Sequence, residues 1–213
     1  RVCLSWRGAR AVAGERGPAD LLSRGHGGGR RGECGVEFYF YPAMGWTGCG
    51  VGDGDFLRAG GVAGIVLSSG GAGDGGDADA GFVGQRFEEY DFSFTHVVRE
   101  YPNEWPAIDG IDLVVHLGSN WSVYWDDISR NVAAESELIR EAHRRGIPLF
   151  GICFGAQIMA HALGGSAERA KKAEIGWHDV IATPTYKVLA GTWMQWHYDT
   201  FSAPAGAQVL ALS

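Results

Sequence analysis

From residue 61 onward, apolar positions alternate between short unbroken runs and stripes at helical spacing. The runs Val62–Ser68, 94–99 and 112–117 predict strands, the last apolar enough throughout to lie inside a parallel sheet. Residues 82–90 predict a short helix between the first two. In the best-marked helix, Asp126 or Asp127 is placed to cap it and Ile128, Val132, Leu138, Ile139 and Ala142 form its apolar stripe. Arg144 and Arg145 suit its carboxyl end, and Gly146 and Pro148 stop it. Residues 147–152 then read as a buried strand and 156–163 as a helix. Shorter strands, mixed or antiparallel, are predicted at 177–182, 193–196 and 209–212, with turns at Thr183-Pro184 and Pro204-Ala205-Gly206. Strand, helix, strand, helix in this order predicts an α/β domain. Its core is a doubly wound, mostly parallel sheet with helices on both faces, and sites collect at the carboxyl ends of the strands.

Before residue 61 no such pattern exists. Roughly two-thirds of the 34 glycines precede Phe82, and residues 1–60 contain arginine but no lysine. We therefore divide the chain into a Gly/Arg-rich extension, 1–60, expected to be disordered or non-native, and a folded domain, 61–213. Within the extension, the Arg/Gly tract at 24–32 reads as a flexible tail rather than an RNA- or phosphate-binding segment, and Cys34 and Cys49 could pair. The Gly/Asp run between Gly70 and Gly81 reads as a mobile loop rather than a calcium-binding repeat. A net charge of -7 and a pI near 5.4 argue against broad nucleic-acid binding. No run of about eighteen apolar residues is present, so no membrane association is expected. The absence of an initiator Met and of a signal-peptide pattern suggests a fragment or processed product.

The chemistry centres on Cys153, held between Gly151 and Gly155 where a predicted strand meets a predicted helix. A strand-to-helix elbow lifts its side chain clear of the sheet edge, and a Cβ on either flank would meet the crossing backbone. The helix aims free N–H groups and its positive dipole end at the sulfur, which favours the thiolate. Such a thiol must stay reduced to act, so the cytoplasm is the expected compartment.

Gly151-Ile152-Cys153-Phe154-Gly155-Ala156-Gln157 resembles the Gly-x-Cys-x-Gly-x-Gln nucleophile motif of the class I, triad-type glutamine amidotransferases. Leu163-Gly164-Gly165 and Glu174-Ile175-Gly176-Trp177 continue the likeness. The segment Trp193-Met194-Gln195-Trp196-His197-Tyr198-Asp199 is similar to the Trp-Met-Ser-His-Gly-Asp segment of GMP synthase-type members. The likeness covers roughly residues 81–213 and implies a flavodoxin-like fold with a nucleophile elbow.

It also implies glutamine as substrate, a γ-glutamyl thioester on Cys153, and oxyanion donors from the backbone N–H groups of Phe154 and Gly118. The family usually has Gly-Gly-Pro where this chain has Gly118-Ser119-Asn120. Gln157, Trp177, Trp196, His197 and Tyr198 are expected by the same resemblance to line or support the glutamine pocket.

His197 and Asp199, two apart on a strand, share a face and form an alternative base pair. In the family, however, the catalytic His and Glu belong to a later Phe-His-Pro-Glu motif, which is absent from this sequence. Incompleteness at the carboxyl end and little or no glutaminase turnover are therefore expected. His116, His143, His161 and His178 read as packed or solvated, and no metal site or cofactor is implied. With no Gly-x-x-x-x-Gly-Lys loop for ATP, the ammonia is expected to pass to a separate synthetase partner. The alternatives are a γ-glutamyl peptidase on the same scaffold, and a catalytically incomplete binding or regulatory relative.

Overall fold

The computed structural model describes residues 3–6, 38–41, 62–70 and 80–213. The Arg/Gly tract at 24–32, Cys34 and Cys49, and residues 71–79 of the expected loop lie outside the described residues. Inside the stretch expected to be an unstructured extension, two four-residue strands are present: β1, Cys3–Trp6, and β2, Phe38–Tyr41.

The central sheet joins β2 to four parallel strands: β3, Val62–Ser68; β4, Phe92–Val98; β5, Leu113–His116; and β6, Leu149–Ile152. Their order is β2-β6-β5-β3-β4, with β2 antiparallel to β6 and every other pair parallel. Helix α1, Gly81–Glu88, connects β3 to β4, and α2, Ser129–Arg145, connects β5 to β6. Helix α3, Phe154–Ala162, follows β6 directly.

Alternation along the strands supplies two cores. Ile65, Leu67, Val114 and Leu149 pack on one side with Val132 and Ile139 of α2 and Ile158 of α3. Val66, Leu113, Val115 and Phe150 pack on the other, against Val83 and Phe87 of α1. A sheet buried on both faces needs continuous apolar strands, which explains the run of 113–116. The expected α/β architecture, mostly parallel with helices on both faces, is what forms.

Gly64, a weakness in the predicted first strand, has a packing reason. It pairs with Phe94 on β4, whose ring lies over it so closely that a Cβ there would come within 2.2 Å of the ring. An aromatic ring over a strand glycine replaces the side-chain packing the glycine lacks.

The helix after β5 differs at its start. Asp126 and Asp127 do not cap α2; they open a 3-10 turn, Asp126–Ile128, and Ile128 takes the N-cap position without a side-chain hydrogen bond. Its end is as expected, with Gly146 left-handed at φ 77° and donating back to His143.

The carboxyl-terminal part is longer-stranded than its hydrophobic pattern suggests. Strands β7, Ser166–Ala182, β8, Gly191–Ser202, and β9, Ala207–Leu212, form an antiparallel sheet with β1, ordered β1-β9-β7-β8. Between β7 and β8, Thr183-Pro184 leads into a 3-10 segment, Pro184–Leu189, rather than a simple turn. Among the described residues, no helix is long and apolar enough to cross a membrane.

Candidate active site

The carboxyl ends of the four parallel strands bring Ser69, Arg99, Gly118 and Cys153 to one edge of the sheet. Cys153 has φ 53° and ψ −114°, a conformation that costs a non-glycine residue roughly 1–3 kcal/mol. The two flanking glycines make it possible. A Cβ on Gly155 would lie 1.9 Å from the His116 carbonyl oxygen, and one on Gly151 would lie 2.8 Å from the Ala156 nitrogen. Strand β6, the elbow and α3 therefore close on β5 more tightly than any side chain permits.

Cys153 is half-buried and carries a thiol rather than a disulfide. Its carbonyl accepts from the Ala156 and Gln157 N–H groups, making it the cap of α3. Gly118 is its neighbour: a Cβ built on Gly118 would stand 3.5 Å from the Cys153 Cβ and 4.0 Å from its Sγ. The structure thus juxtaposes the three sequence-predicted residues Cys153, Phe154 and Gly118.

The loop after Gly118 is anchored at both ends. At its start, Ser119 Oγ lies 2.8 Å from Ser69 Oγ and accepts from the Trp121 N–H at 3.2 Å. Those two bonds hold the turn that follows Gly118. At its far end, Ser122 Oγ donates to Asp199 Oδ2 at 2.5 Å and Tyr124 OH to Oδ1 at 2.9 Å.

Asp199 thus spends its carboxylate on the loop. His197 Nδ1 donates to the Asp199 backbone oxygen at 3.2 Å, while its Nε2 lies 3.2 Å from Glu174 Oε2 on β7. His197 and Asp199 do share the buried face of β8, as alternation predicts, together with Gln195. Gln157 is buried in α3. Trp177, Trp196 and Tyr198 stand on the opposite, exposed face of the β7–β8 ribbon, with Trp177 64% and Trp196 62% accessible. These aromatics are therefore not brought together with His197.

Beneath the elbow lies a group of charges that sequence reasoning missed. Arg99, Glu135 and His116 are each completely buried. Arg99 Nε donates to Glu135 Oε2 at 2.7 Å and Nη2 to Oε1 at 3.1 Å, while His116 Nδ1 donates to the same Oε1 at 2.8 Å. Burial alone would push the Glu135 carboxyl up. The Arg99 charge and the His116 hydrogen bond outweigh it and hold it at about 2. A signal existed: Glu135 falls between Val132 and Ile139 on the core-facing stripe of α2, where a carboxylate needs a buried partner.

Residues 126–213 match the family described as "Glutamine amidotransferase class-I". Among curated proteins, a GMP synthase [glutamine-hydrolyzing] of Desulfotalea psychrophila is 44% identical over 78 residues, covering 37% of this chain and 14% of that protein. The corresponding protein of Listeria innocua is 33% identical over 116 residues, covering 52% of this chain and 21% of that one. The chain thus spans a minor part of these relatives' length. A crystal structure of a glutamine amidotransferase from Thermotoga maritima superposes with a TM-score of 0.59 at 29% identity, covering 71% of this chain and 67% of that one.

Proposed function

Residues 126–213 belong to a class-I glutamine amidotransferase domain of the GMP synthase-like kind, and from that premise we propose that this chain cleaves the side-chain amide of glutamine through Cys153. The observation that carries the reading is the strained Cys153 conformation between two obligatory glycines, with Gly118 against it.

The thiolate attacks the glutamine δ-carbon. The negative charge on the former carbonyl oxygen is met by the N–H groups of Phe154, at the start of α3, and Gly118. Collapse expels the amide nitrogen, which leaves as ammonia once protonated, and water then releases glutamate from the γ-glutamyl thioester. Gln157 supports the pocket from the buried side of α3, and His197, held by Glu174 and the Asp199 backbone, contributes to its wall. Trp177, Trp196 and Tyr198 belong to an outer face that a substrate or a partner closes. The ammonia passes to a synthetase, and a reducing compartment such as the cytoplasm suits the thiol. The 213 residues contain no Phe-His-Pro-Glu segment, so on this reading the polypeptide alone acylates more readily than it turns over.

The test is labelling by 6-diazo-5-oxo-L-norleucine, a glutamine-shaped electrophile, followed by peptide mass spectrometry. A single adduct on Cys153 is expected, protected by glutamine and absent in Cys153→Ala. Protection by γ-glutamyl dipeptides but not by glutamine would move the assignment to a γ-glutamyl peptidase. No adduct on Cys153 would leave a binding relative. Ammonia release at an ordinary enzymatic rate by the same chain would instead make His197 the base.

A further inference from the structure

Arg99 uses all of its guanidinium donors. Besides Glu135, Nη2 donates to the Leu117 carbonyl at 3.0 Å, and Nη1 donates to Ser69 Oγ at 3.2 Å and to the Gly118 carbonyl at 3.4 Å. Its guanidinium carbon also sits 4.7 Å from the centre of the Phe154 ring. One buried cation therefore touches both residues whose backbone N–H groups face the reacting carbonyl in the proposed chemistry.

The peptide bond transmits this contact. In a trans peptide the carbonyl of one residue and the N–H of the next point in opposite directions within one rigid plane. Fixing the Leu117 oxygen on Arg99 accordingly fixes the Gly118 N–H on the side away from Arg99. A carbonyl that accepts from a cation also polarises its peptide and strengthens the N–H as a donor. Stability alone does not call for this arrangement, because apolar residues of similar volume usually serve a core as well as a buried ion pair.

We propose, resting on the reading above, that Arg99 is a positioning residue: through the Leu117 carbonyl and the Phe154 ring it orients the Gly118 and Phe154 N–H groups toward the oxyanion formed at Cys153. Glu135 and His116 hold Arg99 in that pose. Ser69 and Ser119 steady the next link of the loop.

The test compares two reactions of Cys153 in the purified full chain, with the rate of Cys153→Ala subtracted to remove the other thiols. Alkylation by iodoacetamide is a displacement at carbon and forms no oxyanion. Acylation by p-nitrophenyl acetate does: sulfur bonds to the carbonyl carbon, the negative charge moves to oxygen, and the carbon–oxygen bond breaks to release p-nitrophenolate. That leaving group needs no proton, so the result does not depend on any catalytic acid.

Arg99→Lys keeps the charge beside Glu135 but loses the fork. Arg99→Met combined with Glu135→Gln removes both charges and strands neither. Acylation is expected to slow roughly tenfold in the first and about 100-fold in the second, as when an oxyanion donor is lost, with alkylation within about twofold of the parent. Circular dichroism and a cooperative melt identify the folded variants. An unchanged ratio of acylation to alkylation in a folded variant overturns the proposal, whether both rates hold or both fall. Failure of Cys153 to take the glutamine analogue, with the ratio still dropping, would strike the glutamine reading and leave the role of Arg99 standing.

Discussion

Gly155→Ala is expected to destabilise the protein by about 3 kcal/mol or more and to lower its melting temperature by roughly 10 °C. The added methyl would sit 1.9 Å from the His116 carbonyl oxygen, 2.5 Å from its carbon and 2.8 Å from its Cβ. None of these atoms is the end of a flexible side chain, so α3 must lift from β5 by more than an ångström. The same movement carries Cys153 away from Gly118, and labelling of Cys153 by the glutamine analogue is expected to fall with stability. Gly164→Ala serves as the contrast, since no atom lies within 4 Å of a Cβ there and only its φ of 95° opposes the change. Equal melting temperatures for Gly155→Ala and the parent, by calorimetry, would mean that the strand and helix are not in such close contact.

Glu135→Ala is expected to cost about 3–5 kcal/mol, because it leaves the Arg99 guanidinium buried without its carboxylate. Acid titration of the parent reads the same interaction. The Glu135 carboxyl is lowered from 4.5 to about 2 by Arg99 and His116, against the opposing effect of burial. A carboxyl that is lowered on folding stabilises the protein fully above its unfolded value, and that contribution is lost as pH falls through the folded value. Stability should therefore decline between about pH 4.5 and pH 2, by on the order of 3 kcal/mol from this group. Urea midpoints measured across that range, for the parent and for Arg99→Met combined with Glu135→Gln, isolate the contribution of the Glu135 carboxylate. A doubly substituted chain that loses stability in acid as steeply as the parent would refute the assignment.

The elbow was legible because its glycines flank the cysteine within five residues, although the contact that demands Gly155 is made by His116 on β5. Gly151, Cys153 and Gly155 stand where a strand must turn into a helix with no room for a Cβ, and the left-handed Gly146 after Arg144-Arg145 marks a helix end within a few residues. The partners were not legible, because they are set by tertiary approach. The place of Glu135 on the core-facing stripe of α2 calls for a buried partner, but only the tertiary approach of Arg99, after β4, and His116, on β5, says which. The first half of β7 was passed over for a related reason. Its Glu168, Arg169, Lys171, Lys172 and Glu174 break any apolar alternation, and its pairing is supplied by β8, with an irregularity between Arg169 and Glu174. Asp126 and Asp127 suit a cap by type, yet the chain enters α2 through a 3-10 turn that uses neither for that purpose. Trp196, His197 and Tyr198 were grouped by resemblance, whereas strand alternation turns His197 to the buried face and the two aromatics to the exposed one.

The Asp199 anchor carries a consequence for the order in which the protein matures. Ser122 and Asp199 are 77 residues apart, so their bond closes a long loop, and the entropy of that closure must be overcome before the contact returns anything. The α2–β6–α3 unit and its pairing with β5 span shorter separations than this and can form while the ribbon is still unpaired. Strained backbone at Cys153 would then exist before the far end of its neighbouring loop is tied down. On the proposed reading, that order would expose the Cys153 thiol before its pocket is closed, and the interval between the two is when oxidation would reach it. Pulse-labelled amide exchange during refolding should find Trp121 and Trp125 protected after the α2 amides. Simultaneous protection would mean that nucleophile and pocket are completed in a single step.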